Sequence, residues 1–464
     1  MKKSLLTISL IIIFSSFLCV SSTNSDCGPP AQCYDYPNPL NRNYKKPVPC
    51  PVSKQKKPTL NLAAKGSKKN MFDVTFTCGV KNAVLCNKVK KTFETAGNII
   101  SSTLILNSPI TLNASFVDFC VVMGECGGKT GLVTLGGASP ARTIPLQDDD
   151  GLVRLYPQAL VKQFQFNIHP EYGPYDILAM FNSAGTNFWF DGDGKIKPDQ
   201  QDFLYVVLHE MIHGLGLASN WGDYINDDNP TAITPDLSLV TDDDSKLKFN
   251  GFMESAFDKY IIYLSSGRKT SEVTDKLNKF PGGTDAKFSN MKEFKAKFKA
   301  SPQYELALDM MKTMTTPYSL GFLPHDSTES AQAIILETNL NPYCQGSSVS
   351  HVDFNTYNNT CDFLMKYLAD HGATMRTITT SRGCTDAIGP ELILILETMG
   401  YATSNNPNPY KPNVTITSNN FNPNIKGIVE SVSPNPNSSP KMINFDFETL
   451  IVLNLIGFIT VRYL

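Results

Sequence analysis

Apolar and polar residues alternate through Phe72-Asp-Val-Thr-Phe-Thr-Cys78, so that Phe72, Val74, Phe76 and Cys78 share one face, the period of a half-buried strand. The period then lengthens. Leu85, Val89, Phe93 and Ala96 recur at helical spacing, with Lys88, Lys90 and Lys91 on the wet side. Ile110, Leu112, Ala114 and Phe116 alternate again and leave Asn113 on an exposed face. Strand, helix, strand in that order predicts a sheet with a crossover helix packed on it. Gly131 to Leu146 is rich in glycine, alanine and turn residues. Its Leu135-Gly-Gly-Ala-Ser139 segment suits either an edge strand that another backbone approaches closely or a plain loop. Tyr156 to Phe164 reads as a short helix, and Tyr175 to Phe190 leads towards the next element.

That element is Asp202-Phe-Leu-Tyr-Val-Val-Leu-His-Glu-Met-Ile-His-Gly-Leu-Gly216, apolar before and glycine-rich behind an H-E-x-x-H made by His209, Glu210 and His213. Residues four apart lie above one another on a helix, so both imidazoles can reach one metal ion, and Glu210, slightly rotated, can act on a water without being a ligand. Zinc (Zn2+) accepts such neutral nitrogen ligands. The plainer reading is a histidine pair hydrogen-bonded in a core. Against it stand Phe203, Leu204, Val206, Val207 and Leu208, which bury the helix ahead of the motif, and Gly214 and Gly216, which let the chain turn abruptly after the second histidine. Asp191-Gly-Asp-Gly194 is read as a turn, since a calcium loop needs oxygen and glycine where Lys195 and Ile196 stand.

Between Trp221 and Gln345 lies a long polar section with helical patches at Phe252 to Leu264 and Met291 to Phe298, and it carries no recognisable second chemistry. Gly346-Ser-Ser-Val-Ser-His-Val-Asp353 and Asp362-Phe-Leu-Met365 follow, and Pro390 to Met399 is a last helix ended by Gly400.

The 464 residues suffice for a large core, and a formal net charge of −2 with no basic concentration argues against nucleic acid as a partner. Lys2 and Lys3 ahead of an apolar run predict a signal peptide at 1–22. Removing it takes Cys19 from the eleven cysteines, and the ten that remain predict up to five disulfides in an exported chain. Sequons at Asn113, Asn358, Asn413 and Asn437 fit an exported glycoprotein. Composition further divides the chain into a Cys/Pro/Lys-rich leader or pro-segment at 23–70, a main domain at 71–402 with an insertion at about 222–345, an Asn/Pro/Ser-rich linker at 403–442 and an apolar tail at 443–464. Small residues at Asn437-Ser-Ser439, a spacer from Pro440 to Thr449 and an apolar end from Leu450 to Leu464 have the layout of a lipid-anchor signal, so attachment to a membrane through the C-terminus is one expectation, beside a buried strand, a short membrane contact or free secretion.

On the 202–216 stretch, Gly346-Ser-Ser-Val-Ser-His351 and Asp362-Phe-Leu-Met365, the chain resembles the metzincin zinc endopeptidases, most of all the leishmanolysin-like group or a related secreted microbial one. The resemblance implies an α+β fold, a two-lobed zincin catalytic domain. Its upper lobe would hold a twisted mixed sheet with two long helices, one the active-site helix. Its irregular C-terminal lobe would hold a methionine turn at Met365 and the 390–399 helix, with the cleft between the lobes. Compact members continue the motif to a third histidine, where this chain has Ser219. Leishmanolysin-like members carry an insertion before that ligand, which implies His351 as the third metal ligand. Glu254 or Asp353 could serve instead, as in zincins with an acidic third ligand, while His169, His325 and His371 stand at less fitting places in the order. The implied function is a secreted or surface-held zinc metalloendopeptidase that cuts proteins or peptides with Glu210 as general base. The alternative is a non-catalytic surface glycoprotein that keeps the fold for adhesion or binding.

Overall fold

In chain order the first part of the protein runs β1 (Ala31–Asp35), β2 (Lys46–Cys50), β3 (Phe72–Cys78), α1 (Ala83–Thr103), β4 (Ile110–Val117), β5 (Gly136–Pro140), β6 (Arg142–Gln147), β7 (Val153–Pro157), α2 (Gln158–Gln163), β8 (Ile177–Asn182) and α3 (Phe203–Gly214). This computed structural model describes residues 31–412 except 42–43, 54–69, 127–132, 167–168, 185, 227–229, 242–243 and 284–285, together with 462–463. Two four-stranded sheets stand in this part, in the orders β3-β4-β8-β5 and β2-β1-β6-β7. In the first, β3, β4 and β8 are parallel, with Phe72 opposite Ile110 and Ile177 opposite Leu112, and β5 closes one edge antiparallel, with Ala138 opposite Ala179.

The crossover between β3 and β4 is α1. Asn82 caps it by accepting from the Leu85 amide at 3.1 Å, and it turns Val89, Phe93, Ala96 and Ile100 into the core. One aromatic cluster joins this helix to α3, because Phe93 packs against Phe181 and Phe203 with centroids 5.3 and 6.4 Å apart, and Phe203 meets Phe116 and Phe188 at 5.7 and 4.8 Å. The glycine-rich segment takes the strand form. A Cβ on Gly136 would stand 2.7 Å from the Phe181 ring, so only glycine lets β5 lie this close to β8. Since β4 is a central strand, Asn113 is half-buried rather than exposed.

The second sheet draws in residues from the cysteine-rich leader. Cys33 and Cys50 are bonded across β1 and β2, β1 pairs with β6 at Tyr34 and Asp35, and the Tyr34 hydroxyl lies 2.8 Å from that of Ser238. Cys78–Cys86, Cys120–Cys126 and Cys361–Cys384 are the other disulfides among the described residues, and Cys27 lies outside them. Asp191 to Gly194 is a turn, in which Asp193 accepts from the Phe190 amide and pairs with Lys88.

Within 222–345, β9 (Asp236–Thr241) and β10 (Leu247–Met253) pair antiparallel, and Phe249 and Phe280 pack against Phe294 and Phe298 of the helix Met291–Lys299, which the helix Pro302–Met314 follows. The helical spacing from Phe252 to Leu264 misleads. The chain there ends β10, bridges to β7 through Leu155 N to Glu254 O and Ala256 N to Leu155 O, and makes only a short 3-10 turn at Asp258–Tyr260. Backbone groups taken by a neighbouring strand are not available to a helix.

Helices α4 (Met375–Arg382) and α5 (Pro390–Met399) close the described body, and Gly400 ends the latter at a φ of 123°. Beyond them Tyr410 lies under Lys259, whose Nζ is 3.7 Å from the ring centroid, and donates to Asp148 at 2.7 Å. Among the described residues no helix is long and apolar enough to cross a membrane. The expectations for 1–22, for Asn413 and Asn437, and for nearly all of the linker and tail fall outside the described residues, save that Arg462 and Tyr463 pair with Thr134 and Val133.

Candidate metal centre

Helix α3 begins at Asp202, whose side chain accepts from the Leu204 amide at 3.0 Å and from the Met375 amide at 2.7 Å, tying the helix start to that of α4. Burial pushes the Asp202 carboxyl up to about 6, although both amides favour its charged form. The helix is buried almost all round, His209, Glu210 and His213 included. Its exit is shaped by two glycines. A Cβ on Gly214 would come 2.4 Å from Ile177 of β8, and Gly216, at φ 112°, would bring one 2.4 Å from the Pro157 ring.

His351 arrives from far along the chain. Its backbone carbonyl accepts from Glu337 N at 2.8 Å, and the Glu337 carbonyl accepts from Val349 N at 2.8 Å. Val349 is β-branched, buried and at φ 63°, a conformation that costs about 1–3 kcal/mol and persists where the surroundings over-determine it. Just beyond, the turn Phe363–Met365 lies against both the helix and this segment. Val352 N donates to Met365 O at 3.0 Å, and the Tyr205 hydroxyl donates to Leu364 O at 3.1 Å. Met365 is fully buried.

These elements converge three imidazoles. Nε2 of His209 lies 3.0 Å from that of His213 and 3.1 Å from that of His351, and the remaining pair is 3.2 Å apart. Each ring's other nitrogen faces a backbone carbonyl: His209 Nδ1 to Leu364 O at 2.7 Å, His213 Nδ1 to Leu217 O at 2.7 Å and His351 Nδ1 to Ser347 O at 3.0 Å. A carbonyl only accepts, so each Nδ1 carries the hydrogen and each neutral ring turns an Nε2 lone pair inward. Burial, with His351 facing it, holds His209 well below the ordinary imidazole range and so favours that neutral form.

Three lone pairs at this separation repel one another unless a cation lies among them. A tetrahedral ion with bonds of about 2.05 Å to nitrogen sets its ligands about 3.3 Å apart, so the triangle fits zinc with slight compression. Carbonyls that fix the tautomer and orientation of ligand rings are a usual companion of such sites. Glu210 follows His209 on the helix, roughly 100° further round the axis, and is buried with it.

Among the described residues these three histidines form a group whose ligand atoms come together. The acidic alternatives are engaged elsewhere. Glu254 accepts from Arg154 Nε at 2.8 Å and from Ser271 and Thr274, and Asp353 caps the turn Phe354–Tyr357 through Thr356 N at 2.7 Å. His169 stacks on Tyr172, His325 bonds Thr398, and His371 lies beside Gln201.

Sequence reasoning missed the groups that aim the rings. Leu217, Ser347 and Leu364 act through backbone carbonyls, which leave no mark in a sequence. Asp258 has none either: it is fully buried, its carboxyl is pushed up by burial, and hydrogen bonds from Ser219, Ser255 and Asn220 oppose that rise.

Residues 29–440 match the family described as SPBPB7E8-like. A relative from the fission yeast Schizosaccharomyces pombe, named "Uncharacterized protein PB7E8.01", is 30% identical over 368 residues, which cover 74% of this chain and 64% of the relative. The chain thus spans less than two thirds of that relative's length. No solved structure matches the chain at a significant level.

Proposed function

We propose that this chain, which belongs to the SPBPB7E8-like family, is an exported zinc-dependent endopeptidase acting on proteins or peptides. The observation that carries the proposal is the inward triangle of Nε2 atoms, 3.0 to 3.2 Å on a side, with all three Nδ1 hydrogens committed to carbonyls. His209, His213 and His351 are the residues that would hold the ion, and three protein ligands leave the fourth tetrahedral position open, as hydrolytic zinc sites do. When bound there, zinc supplies a Lewis acid that polarises a peptide carbonyl and makes water acidic near neutral pH.

The chain's own part in the reaction belongs to Glu210. Its carboxylate takes the proton of the attacking water and passes it to the amine that leaves when the C–N bond breaks, with no covalent enzyme intermediate. Peptide hydrolysis of this kind needs a base beside the metal ligands but off the metal, and a position next to His209 on the same buried helix meets both needs. The sheet β3-β4-β8-β5, the helices α1 and α3 and the turn at Met365 support a two-lobed zincin arrangement. The disulfides favour an oxidising compartment.

Cleavage of casein and of a quenched-peptide library by the purified protein, with and without a chelator, tests the proposal. Chelator-sensitive cleavage restored by added zinc is expected. A correctly processed, zinc-loaded protein that cuts nothing would overturn the enzymatic reading and favour a surface glycoprotein that binds or adheres.

A further inference from the structure

The loop at 215–221, immediately behind the second histidine, has no regular structure, and side chains from distant parts of the chain hold it at Leu215, Ala218, Ser219, Asn220 and Trp221. The Tyr401 hydroxyl donates to Leu215 O at 2.8 Å, the Ser219 amide donates to Ser350 Oγ at 3.1 Å, and the Asn220 amide donates to Asp258 Oδ2 at 2.8 Å. The Tyr343 hydroxyl donates to Trp221 O at 2.9 Å. Ser255 Oγ lies 2.9 Å from Ala218 O and 3.0 Å from Asp258 Oδ2, and the Ser255 amide donates to the same carboxylate oxygen at 2.8 Å. Two contacts of this loop reach the metal ligands: Leu217 O receives His213 Nδ1–H, and Ser219 N anchors the residue next to His351.

Asp258 is an odd residue to find there for packing alone. It is 0% exposed, and among the described residues amides and hydroxyls hold it rather than a guanidinium or an ammonium group. Burying a carboxylate this way is costly, and what it gains is charge-assisted bonds: those from Ser255 shape the turn at 255–258, and the one from the Asn220 amide pins the 219–221 end of the loop to it.

We propose that Asp258 is a positioning residue for the metal centre: by fixing the 217–221 loop it sets where the Leu217 carbonyl meets His213 and where the Ser219 amide meets the His351 segment. The inference rests on the zinc reading of the three histidines and gives the 222–345 insertion a part in it. Asp258, Ser255 and Tyr343 all come from that insertion, so it braces two of the three ligands.

The test uses the full chain, stripped with chelator and titrated with zinc in competition with an indicator, and then with cobalt(II), whose visible bands report ligand geometry. Losing a group that orients metal ligands typically costs about 10–100-fold in affinity, so Asp258→Ala is expected to bind zinc that much more weakly, with altered cobalt bands and unchanged far-ultraviolet circular dichroism. Asp258→Asn keeps an oxygen acceptor and is expected to recover most of the affinity. Ser255→Ala, which leaves Asp258 in place, is expected to show a smaller loss of the same kind. A folded Asp258→Ala with wild-type zinc affinity and cobalt bands overturns the inference, whatever its melting temperature. Should Asp258→Ala fail to fold, Ser255→Ala decides, and wild-type affinity and bands in that variant overturn the inference equally. Wild-type protein that binds neither metal overturns the zinc reading itself, an outcome seen before any variant is made.

Discussion

The backbone amide of Ser219 donates to the hydroxyl of Ser350 at 3.1 Å. Ser219 stands where a compact H-E-x-x-H-x-x-G-x-x-H motif would place its third histidine, and Ser350 immediately precedes His351, so the position that lacks the imidazole holds the segment that brings one. Replacing Ser350 with alanine removes this anchor but no ligand. Zinc affinity is expected to fall by about tenfold, at the lower end of what groups behind metal ligands contribute, and competition titration of the folded variant measures it.

Glu210 is expected to separate binding from chemistry. Glu210→Gln and Glu210→Ala should both retain zinc in full, while kcat falls by about 10²–10⁴-fold, the usual worth of a general base. Metal analysis and peptide kinetics on the same preparation check both halves, and an alanine variant with most of its kcat would take Glu210 out of the mechanism.

Asp202 makes stability depend on pH. Burial raises its carboxyl from 3.8 in the unfolded chain to about 6 in the folded one. The folded state therefore holds this proton more tightly, the penalty is fully present above pH 6, and it is relieved as pH falls from about 6 towards 4. The Leu204 and Met375 amides bind separate oxygens of Asp202, so Asp202→Asn removes the charge and keeps an acceptor for one of the two amides. The lost acceptor is a constant offset, so the stability of the variant relative to wild type is expected to rise by about 3 kcal/mol between pH 4 and pH 8. Urea unfolding of both proteins across this range gives the difference directly.

Arg154 joins the first part of the chain to the insertion. Fully buried, it meets Glu254 at 2.8 Å, Asp150 at 2.7 Å and Asp148 at 3.1 Å. Asp148 also receives Lys259 at 2.7 Å. Arg154→Met leaves Glu254 buried without its cation and is expected to cost about 3–5 kcal/mol. Adding Glu254→Gln should recover part of the loss, a coupling that a double-mutant cycle in denaturant measures.

Much of the scaffold was legible because it obeys simple periods. Alternation marked β3 and β4, helical spacing marked α1, and Asp202, Gly214 and Gly216 marked the ends of α3. The histidine pair declared itself by spacing four on an apolar helix. His351 needed the family resemblance, since nothing in its own neighbourhood separates it from His325 or His371. The 252–264 segment was misread because its apolar residues repeat like a helix while Leu155 takes its backbone bonds. Asp258 was invisible for a related reason: an acidic residue in a lysine-bearing polar stretch looks solvated, and only the folding of that stretch against the 217–221 loop buries it.

The most direct test of the zinc centre is the metal content of the purified full chain and of single alanine variants at His351, His325, His371 and His169, read by elemental analysis after exhaustive dialysis. One zinc per chain is expected in the wild type and in the His325, His371 and His169 variants, and little or none in His351→Ala. A wild type without zinc, or a folded His351→Ala that keeps one zinc per chain, would contradict the assignment of His209, His213 and His351 as the ligands.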